Sequence, residues 1–455
     1  MAYPSQIDVV GTATDFYPYP YGAPPVIIGT SIFQALVGRD DAFSSTVNIN
    51  VYKSTDNGNT WTLPTSTGRP TPVADDSGHY GAKYQAIDTD TNMWFVYCNS
   101  DAIPTQSHLQ NFDTANGTWN TVINGGPAPW DSLSNVIGSS TYTLDPQIPN
   151  DGGQLGLNIR SNGDKVVIYN AATVASTTTL KQSLYFQVYN GTWGAAIPLM
   201  IAGTGTDTTD QLGMSFSYSG SVLGTNDIIH VFAWTEAGYA YASITTANAV
   251  ANYRRFDNDE LDLTGGKQTS VWGYPKIVHM CDKRYAALPH GLLTTVERDT
   301  GDAVNNHLRP ALLMIPDVAT PQHTRYEIVE DQIEMDGYSW VPVAVTCDTS
   351  AKSTYLVWHK LATPASSYAT QIRMSCSNGV YWTDPQTLVT TADPDIIETI
   401  EVEAEGGRLH CMFEESEGAG VYTYPQYYQF SVSCADEGCG GTSTVTSGSN
   451  YAFVG

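Results

Sequence analysis

Basic residues are scarce in this chain: 20 lysines and arginines stand against 46 aspartates and glutamates, a formal net charge of −26. That deficit excludes nucleic acid, whose phosphates call for Lys and Arg, and anionic membrane surfaces. It favours solubility among the salt and divalent cations outside a cell. No apolar run approaches a membrane span, so no membrane insertion is expected, and no sustained helical periodicity stands out. No CxxC or HxxxH spacing occurs, which removes a zinc site. The first residues, MAYPSQIDVVGTAT, contain neither the basic nor the apolar segment of a secretory signal peptide. The seven cysteines, Cys98, Cys281, Cys347, Cys376, Cys411, Cys434 and Cys439, form an odd, scattered set. Several sit in apolar strand runs, where Cys acts as a small hydrophobe. Cys434 and Cys439 are a local pair placed to clamp the C-terminal tail as a disulfide.

What is present suits strands and tight turns: 41% hydrophobic content, 40 Gly, 24 Pro and 28 Tyr. In VYKSTDNGNTWTLP an alternating run (Val47, Ile49, Val51) enters a short loop and leaves through Trp61 and Leu63, the pattern of a β-hairpin. Ser54, Asp56 and Thr60 offer side-chain partners to the loop backbone, Gly58 accepts positive φ, and Trp61 lids the turn. Degenerate copies recur around Gly117 and Trp119, Gly191 and Trp193, and Ser375, Gly379 and Trp382. A second series of short apolar runs precedes them, centred near 34, 95, 167, 230, 357 and 411. Each box tryptophan follows its run at a nearly constant offset (34 to 61, 95 to 119, 167 to 193, 357 to 382). The double step between 230 and 357 implies a further repeat near 292, at LPHGLLTTV.

Ser54-x-Asp56-x-Gly58-x-Thr60-Trp61 resembles the Asp box of the sialidase-type β-propellers, a structural turn between the third and fourth strands of a blade. The resemblance implies an all-β β-propeller of four-stranded antiparallel blades, seven favoured over six. Residues 1–25 are expected to form an N-terminal arm that docks on a neighbour or closes the ring through SQIDVVGTAT. Residues 26–432 are expected to form the propeller, and 433–455 a Gly/Ser/Thr-rich tail.

The resemblance extends from Ile32 to Trp61. Val37-Gly38-Arg39-Asp40-Asp41 stands where the family has its E-G-R turn and acid/base, which would make Asp40 or Asp41 the proton donor of a glycoside hydrolase. The family's Arg-Ile-Pro motif is missing: YPYPYGAPPVIIGT precedes, and no arginine occurs before Arg39. Of the eleven arginines, Arg160, Arg284 and Arg373 match the family's carboxylate clamp by no local motif. The expectation is therefore a non-catalytic virion structural protein of a tailed bacteriophage, located on the virion surface or otherwise extracellular. Its partners would be a host glycan or neighbouring virion subunits in a homo-oligomeric or multi-protein assembly. The alternative is a secreted sialidase-like glycoside hydrolase with diverged catalytic residues.

No organic cofactor is expected. A structural Ca2+ is conceivable at Asp88-Thr89-Asp90-Thr91-Asn92 or at Asp257–Asp262, although the first lacks the Gly and distal Glu of an EF-hand and reads as a hairpin turn. Glu398, Glu401, Glu403 and Glu405 alternate at strand period and read as a solvent face. Tyr17, Tyr19 and Tyr21, and Tyr422, Tyr424, Tyr427 and Tyr428, are candidates for stacking on sugar rings or for packing.

Overall fold

The computed structural model describes residues 17–18, 23–39, 47–71, 82–98, 107–124, 134–137, 140–145, 155–175, 179–201, 216–224, 226–235, 238–257, 280–281, 292–299, 307–315, 324–327, 333–334, 343–348, 350, 353–361, 370–377, 383–390, 396–416, 423–433 and 444–451. Among these the fold is all-β, in seven antiparallel sheets and without a helix. The chain divides into two compact units, one of residues 1–43, 50–64 and 261–455, the other of 44–49 and 65–260.

The first unit holds four sheets. In the first, β1 (Tyr17–Pro18) and β2 (Val26–Ile28) both pair with β3 (Ser31–Arg39), which pairs on its other side with β4 (Val47–Ser54). The other three sheets of this unit come from the C-terminal half of the chain. One has β20 (Met280–Cys281), β21 (Leu292–Asp299), β22 (His307–Ile315) and β23 (Thr324–Glu327), with β24 (Ile333–Glu334) also on β22. Next come β25 (Val343–Asp348), β26 (Ser353–Leu361), β27 (Thr370–Ser377) and β28 (Gln386–Thr390). The last sheet is β29 (Ile396–Glu405), β30 (Arg408–Ser416), β31 (Thr423–Ser433) and β32 (Thr444–Tyr451).

The second unit holds three sheets. Its first is β5 (Ala82–Ile87), β6 (Met93–Cys98), β7 (Ser107–Asp113) and β8 (Thr118–Trp119), with β9 (Ile123–Asn124) on β7. In the next, a hairpin of β10 (Ser134–Ile137) and β11 (Ser140–Asp145) extends the edge of β13 (Lys165–Ala175), which also pairs with β12 (Gly156–Ile159) and with β14 (Thr179–Tyr189), followed by β15 (Ile197–Met200). The third is β16 (Phe216–Leu223), β17 (Ile229–Thr235), β18 (Gly238–Ile244) and β19 (Val250–Asp257).

Every apolar run picked out by period lies in a central strand: β3, β6, β13, β17, β26 and β30, and at the weak position near 292, β21. The runs are continuous rather than alternating because such sheets are buried on both faces. Val166 and Ile168 pack with Phe216, Ile229 and Val231, while Val167 and Tyr169 on the opposite face pack with Trp94, Val96 and Leu109. In the first unit Leu409 and Cys411 join Tyr355 and Val357, while Met412 turns to Ile32, Leu36 and Trp61. Each fully buried aliphatic or aromatic side chain of this kind contributes about 1.5–3 kcal/mol.

Leading strands lie side by side within each unit: β25 against β29 in the first, and β12 against both β5 and β16 in the second. The approach is close enough that a Cβ on Gly156 would meet Cζ of Tyr218 at 2.7 Å.

Several expectations change here. The final sheet takes its fourth strand from Thr444–Tyr451, inside the segment read as a tail, while SQIDVVGTAT lies outside the described residues. Tyr17–Pro18, read as part of a docking arm, pairs with Gly38–Arg39 of its own chain. Glu401 is only 3% exposed, because its strand is sandwiched rather than open to solvent on that face. Cys347 and Cys376 are disulfide-bonded, whereas buried Cys411 is free. Cys434 and Cys439 lie outside the described residues. We expect Cys347 and Cys376 to resist alkylation without reductant, and Cys411 to react only on denaturation, which peptide mapping by mass spectrometry checks.

Candidate functional site

The first box closes as a compact hydrogen-bonded turn. Ser54 Oγ accepts the Gly58 N–H at 2.8 Å and donates to Asp56 Oδ1 at 2.8 Å. Asp56 in turn accepts the Thr60 N–H at 2.9 Å and the Thr60 hydroxyl at 2.7 Å. Trp61 folds back over the loop and donates its indole N–H to the Gly58 carbonyl at 3.0 Å. The chain then returns antiparallel, with Lys53 and Thr62 exchanging backbone bonds of 2.8 and 2.9 Å. The Thr60 N–H and hydroxyl, with smaller help from Ser54, hold the Asp56 carboxyl below the usual range.

The second box is a shortened version between β7 and β8. Asp113 Oδ1 accepts the N–H groups of Asn116 and Ala115, each at 2.9 Å, and Gly117 takes φ +67°. Trp119 packs on Phe95 and Phe112 at 5.3 and 5.1 Å between ring centroids. Asn190–Trp193 follows β14, has no acidic residue, and is reduced to a bend with Gly191 at φ +103° and Trp193 against Tyr189. At the fourth, Ser375 donates to the Thr383 carbonyl at 2.7 Å, while Gly379 and Trp382 lie outside the described residues.

The same end of each unit carries clasps between neighbouring sheets. In the second unit Ser161, in the β12–β13 turn, donates its N–H and hydroxyl to Asp227 in the β16–β17 turn. Arg160 donates to the Thr245 carbonyl and to Asn248 Oδ1 in the β18–β19 turn, at 2.7 and 2.6 Å. The first unit repeats the device. Asp348, 2% exposed at the end of β25, accepts the Gly407 N–H of the β29–β30 turn at 2.6 Å. Arg408 reaches Asn57 in the first box at 3.4 Å. Because Asp348 also accepts from Ser350 at 2.8 and 2.7 Å, Asp348→Ala should cost about 2 kcal/mol, read as a lower urea midpoint with unchanged slope.

These contacts settle several candidates. Arg160 and Arg373 serve the fold, the latter donating to Thr387 Oγ1 at 2.5 Å and to the Pro385 carbonyl at 3.2 Å. Arg284, Asp40 and Asp41 lie outside the described residues, as do residues 258–262 of the second acidic run. Asp88 is a hairpin staple. Burial works to raise its pKa, yet bonds from Trp94 Nε1 at 2.7 Å, from Asn92 and from the Asp90 N–H outweigh it and hold it low. Among the described residues no group of three His, Cys, Asp or Glu could hold a metal ion.

Tyr427 belongs to the core: it stands edge-on to Trp61 at 5.2 Å, and its hydroxyl meets His410 Nδ1 at 2.5 Å. A matching diagonal pair, His230 Nδ1 with Tyr241 Oη at 2.8 Å, occupies the same register between β17 and β18. The periodicity of apolar residues gave no signal for either pair. Burial, with Arg408 adding to it, pushes His410 down to about pKa 4. The neutral imidazole therefore adds stability that is complete above pH 6.5 and disappears as pH falls through 4, about 3 kcal/mol in all. Urea titrations at pH 7 and pH 4 should show that difference, and His410→Gln should remove most of it.

Strand direction locates the end that remains. β3 starts at the Gly29–Thr30 turn and ends at Arg39, and β4 runs back to the box. The backbone of Arg39 thus stands at the end of the sheet opposite the box. The turns at the box end are short and bonded to one another.

No family model matches the chain, and no curated protein matches it. Among solved structures it is similar to the polysaccharide lyase Uly1, at 11% identity and a TM-score of 0.48 over 94% of this chain and 93% of that one. It is also similar to the NanB sialidase from Streptococcus pneumoniae, at 10% identity and a TM-score of 0.43 over 93% of this chain and 70% of that one. The α-L-arabinanase of Penicillium chrysogenum aligns at 11% identity and a TM-score of 0.40 over 93% and 98%.

Proposed function

We propose that the protein is a sialidase-like β-propeller, its seven sheets serving as blades, that acts on carbohydrate outside the cell, with glycoside hydrolysis as its activity. The observation that carries this reading is the Ser54–Trp61 turn, which has the hydrogen bonds of an Asp box and follows β4, the strand on the far side of β3 from β1 and β2. A shortened copy after β7 supports it. Blade architecture is further supported by sheets buried on both faces and by leading strands that lie side by side within each unit.

An extracellular site of action is supported by bonded Cys347 and Cys376, since such bonds persist in oxidising compartments. No feature of the fold favours a phage virion over other extracellular settings, so the carbohydrate reading takes precedence over that expectation. The acid/base role falls to Asp40 or Asp41, in the connection that leaves β3 at the end free of boxes.

The test is a screen of the full chain on immobilised polysaccharides beside a panel of chromogenic glycosides. Binding or turnover of at least one carbohydrate is expected. Silence across both panels contradicts the reading.

A further inference from the structure

We infer that Asn190 is a site of spontaneous deamidation and isoaspartate formation, exposed to that chemistry because its turn has lost the bonds of the box. The chain has six Asn–Gly pairs, and both residues are described in four of them: Asn57–Gly58, Asn116–Gly117, Asn162–Gly163 and Asn190–Gly191. Such pairs are labile because glycine has no side chain to shield its backbone nitrogen from the carboxamide before it. All four asparagines are exposed, so side-chain exposure does not separate them. The glycine N–H does.

Three of the four nitrogens are capped. The Gly58 N–H is bonded to Ser54 Oγ at 2.8 Å, and Gly58 is buried against Tyr427. The Gly117 N–H is bonded to the Asp113 carbonyl at 2.8 Å, and the Gly163 N–H to the Arg160 carbonyl at 2.9 Å. Two of the carboxamides are tied as well: Asn116 donates to Asp113 Oδ2 at 2.7 Å, while Asn162 donates to Asp164 Oδ2 at 2.9 Å and accepts its N–H at 3.0 Å.

The fourth pair is different. Gln187-Val188-Tyr189 stand where the first box has Ser54-Thr55-Asp56, so the residues that close the turn are missing. Among the described residues the Gly191 N–H meets no acceptor. Gly191 is exposed at φ +103°, with nothing within 4 Å of an added Cβ. Asn190 Oδ1 accepts the Thr192 hydroxyl at 3.5 Å, a bond that polarises the carbonyl under attack and leaves the amide nitrogen able to depart. The intact box therefore protects the peptide it closes, and this degenerate copy does not.

The reaction needs only water as co-reactant. Gly191 N loses its proton to solvent and bonds to Asn190 Cγ, the side-chain amide leaves as ammonia, and a cyclic succinimide remains. Water then opens the ring at either carbonyl, giving aspartate, or isoaspartate in which the main chain runs through the side-chain carbon. Either product adds a negative charge, and isoaspartate lengthens the bend that seats Trp193 on Tyr189, whose ring centroids are 5.3 Å apart. The site is independent of the carbohydrate reading.

Ageing the full chain at mildly alkaline pH, folded and in urea, tests the inference, with each Asn–Gly peptide quantified by mass spectrometry. Isoaspartate is read by methyl transfer from S-adenosylmethionine with an isoaspartyl methyltransferase. In the folded chain Asn190 should convert at least about fivefold faster than Asn57, Asn116 or Asn162, because each of those must first break a glycine N–H bond. In urea the four rates should fall within about threefold of one another, because those bonds are gone. Ser54→Ala removes the acceptor of the Gly58 N–H and should speed Asn57 at least about threefold. Near-UV circular dichroism checks that this variant is folded, and the wild-type comparison decides the matter if it is not. A folded-state rate at any of the other three equal to that of Asn190 overturns the inference. So does the folded-state order persisting in urea, which would assign it to neighbouring residues and not to the fold. An unchanged Asn57 rate in folded Ser54→Ala overturns the protective role of the box.

Discussion

Gly58→Ala is expected to lower stability by roughly 3 kcal/mol, among the largest effects available to a single methyl group in this protein. Gly58 has φ +88°, where a side chain is strained, and its added Cβ would stand 2.8 Å from Cδ1 of Tyr427 and closer still to Cε1. Tyr427 cannot yield cheaply. Its ring is fully buried, edge-on to Trp61, and its hydroxyl is held by His410. The loop cannot withdraw either, because the Gly58 N–H is bonded to Ser54 and its carbonyl to Trp61. Gly191→Ala separates the two costs: φ is +103°, but nothing lies within 4 Å of the new Cβ, so only backbone strain of about 1 kcal/mol remains. Unfolding free energies from urea titrations of the two variants should differ by about 2 kcal/mol. Equal shifts would mean that the first box does not seat against the last sheet.

The second large effect concerns activity. On a glycoside that the wild type hydrolyses, Asp40→Asn combined with Asp41→Asn should lower kcat by about 10²–10⁴-fold, the range for loss of a general acid/base. KM should change little, since the substitutions keep the size and hydrogen-bonding capacity of both side chains. Neither carboxylate belongs to a box or clasp among the described residues, so the double variant is expected to unfold at the wild-type urea midpoint. A collapse of stability would assign the pair to the fold, and turnover at the wild-type rate would remove it from the mechanism.

Much of the architecture was legible because it repeats. The central strands announce themselves as continuous apolar runs at one period, and even LPHGLLTTV near 292 becomes a strand, Leu292–Asp299. The boxes were legible because Asp, Gly and Trp each have one local task, done within a few residues. What escaped the sequence depends on partners far along the chain. Glu401 looks solvated by alternation, but the first sheet covers the face it shares with Met412. Arg160 matched no local motif, and its task is set by the turn at Thr245–Asn248, some 85 residues away. The bonded cysteines are Cys347 on β25 and Cys376 on β27, with β26 between the two strands, and neither belongs to an obvious local motif. The fourth strand of the last sheet lies in TVTSGSNY, which is too polar to stand out as a strand by hydrophobicity.

On the proposed function, carbohydrate is handled at the end opposite the boxes. Hydrogen–deuterium exchange of the full chain, with and without whichever oligosaccharide the screen selects, tests it most directly. Protection is predicted at residues 15–22 and 37–46, with the turns at 54–61, 113–119 and 160–164 unchanged. Protection confined to those turns would contradict it.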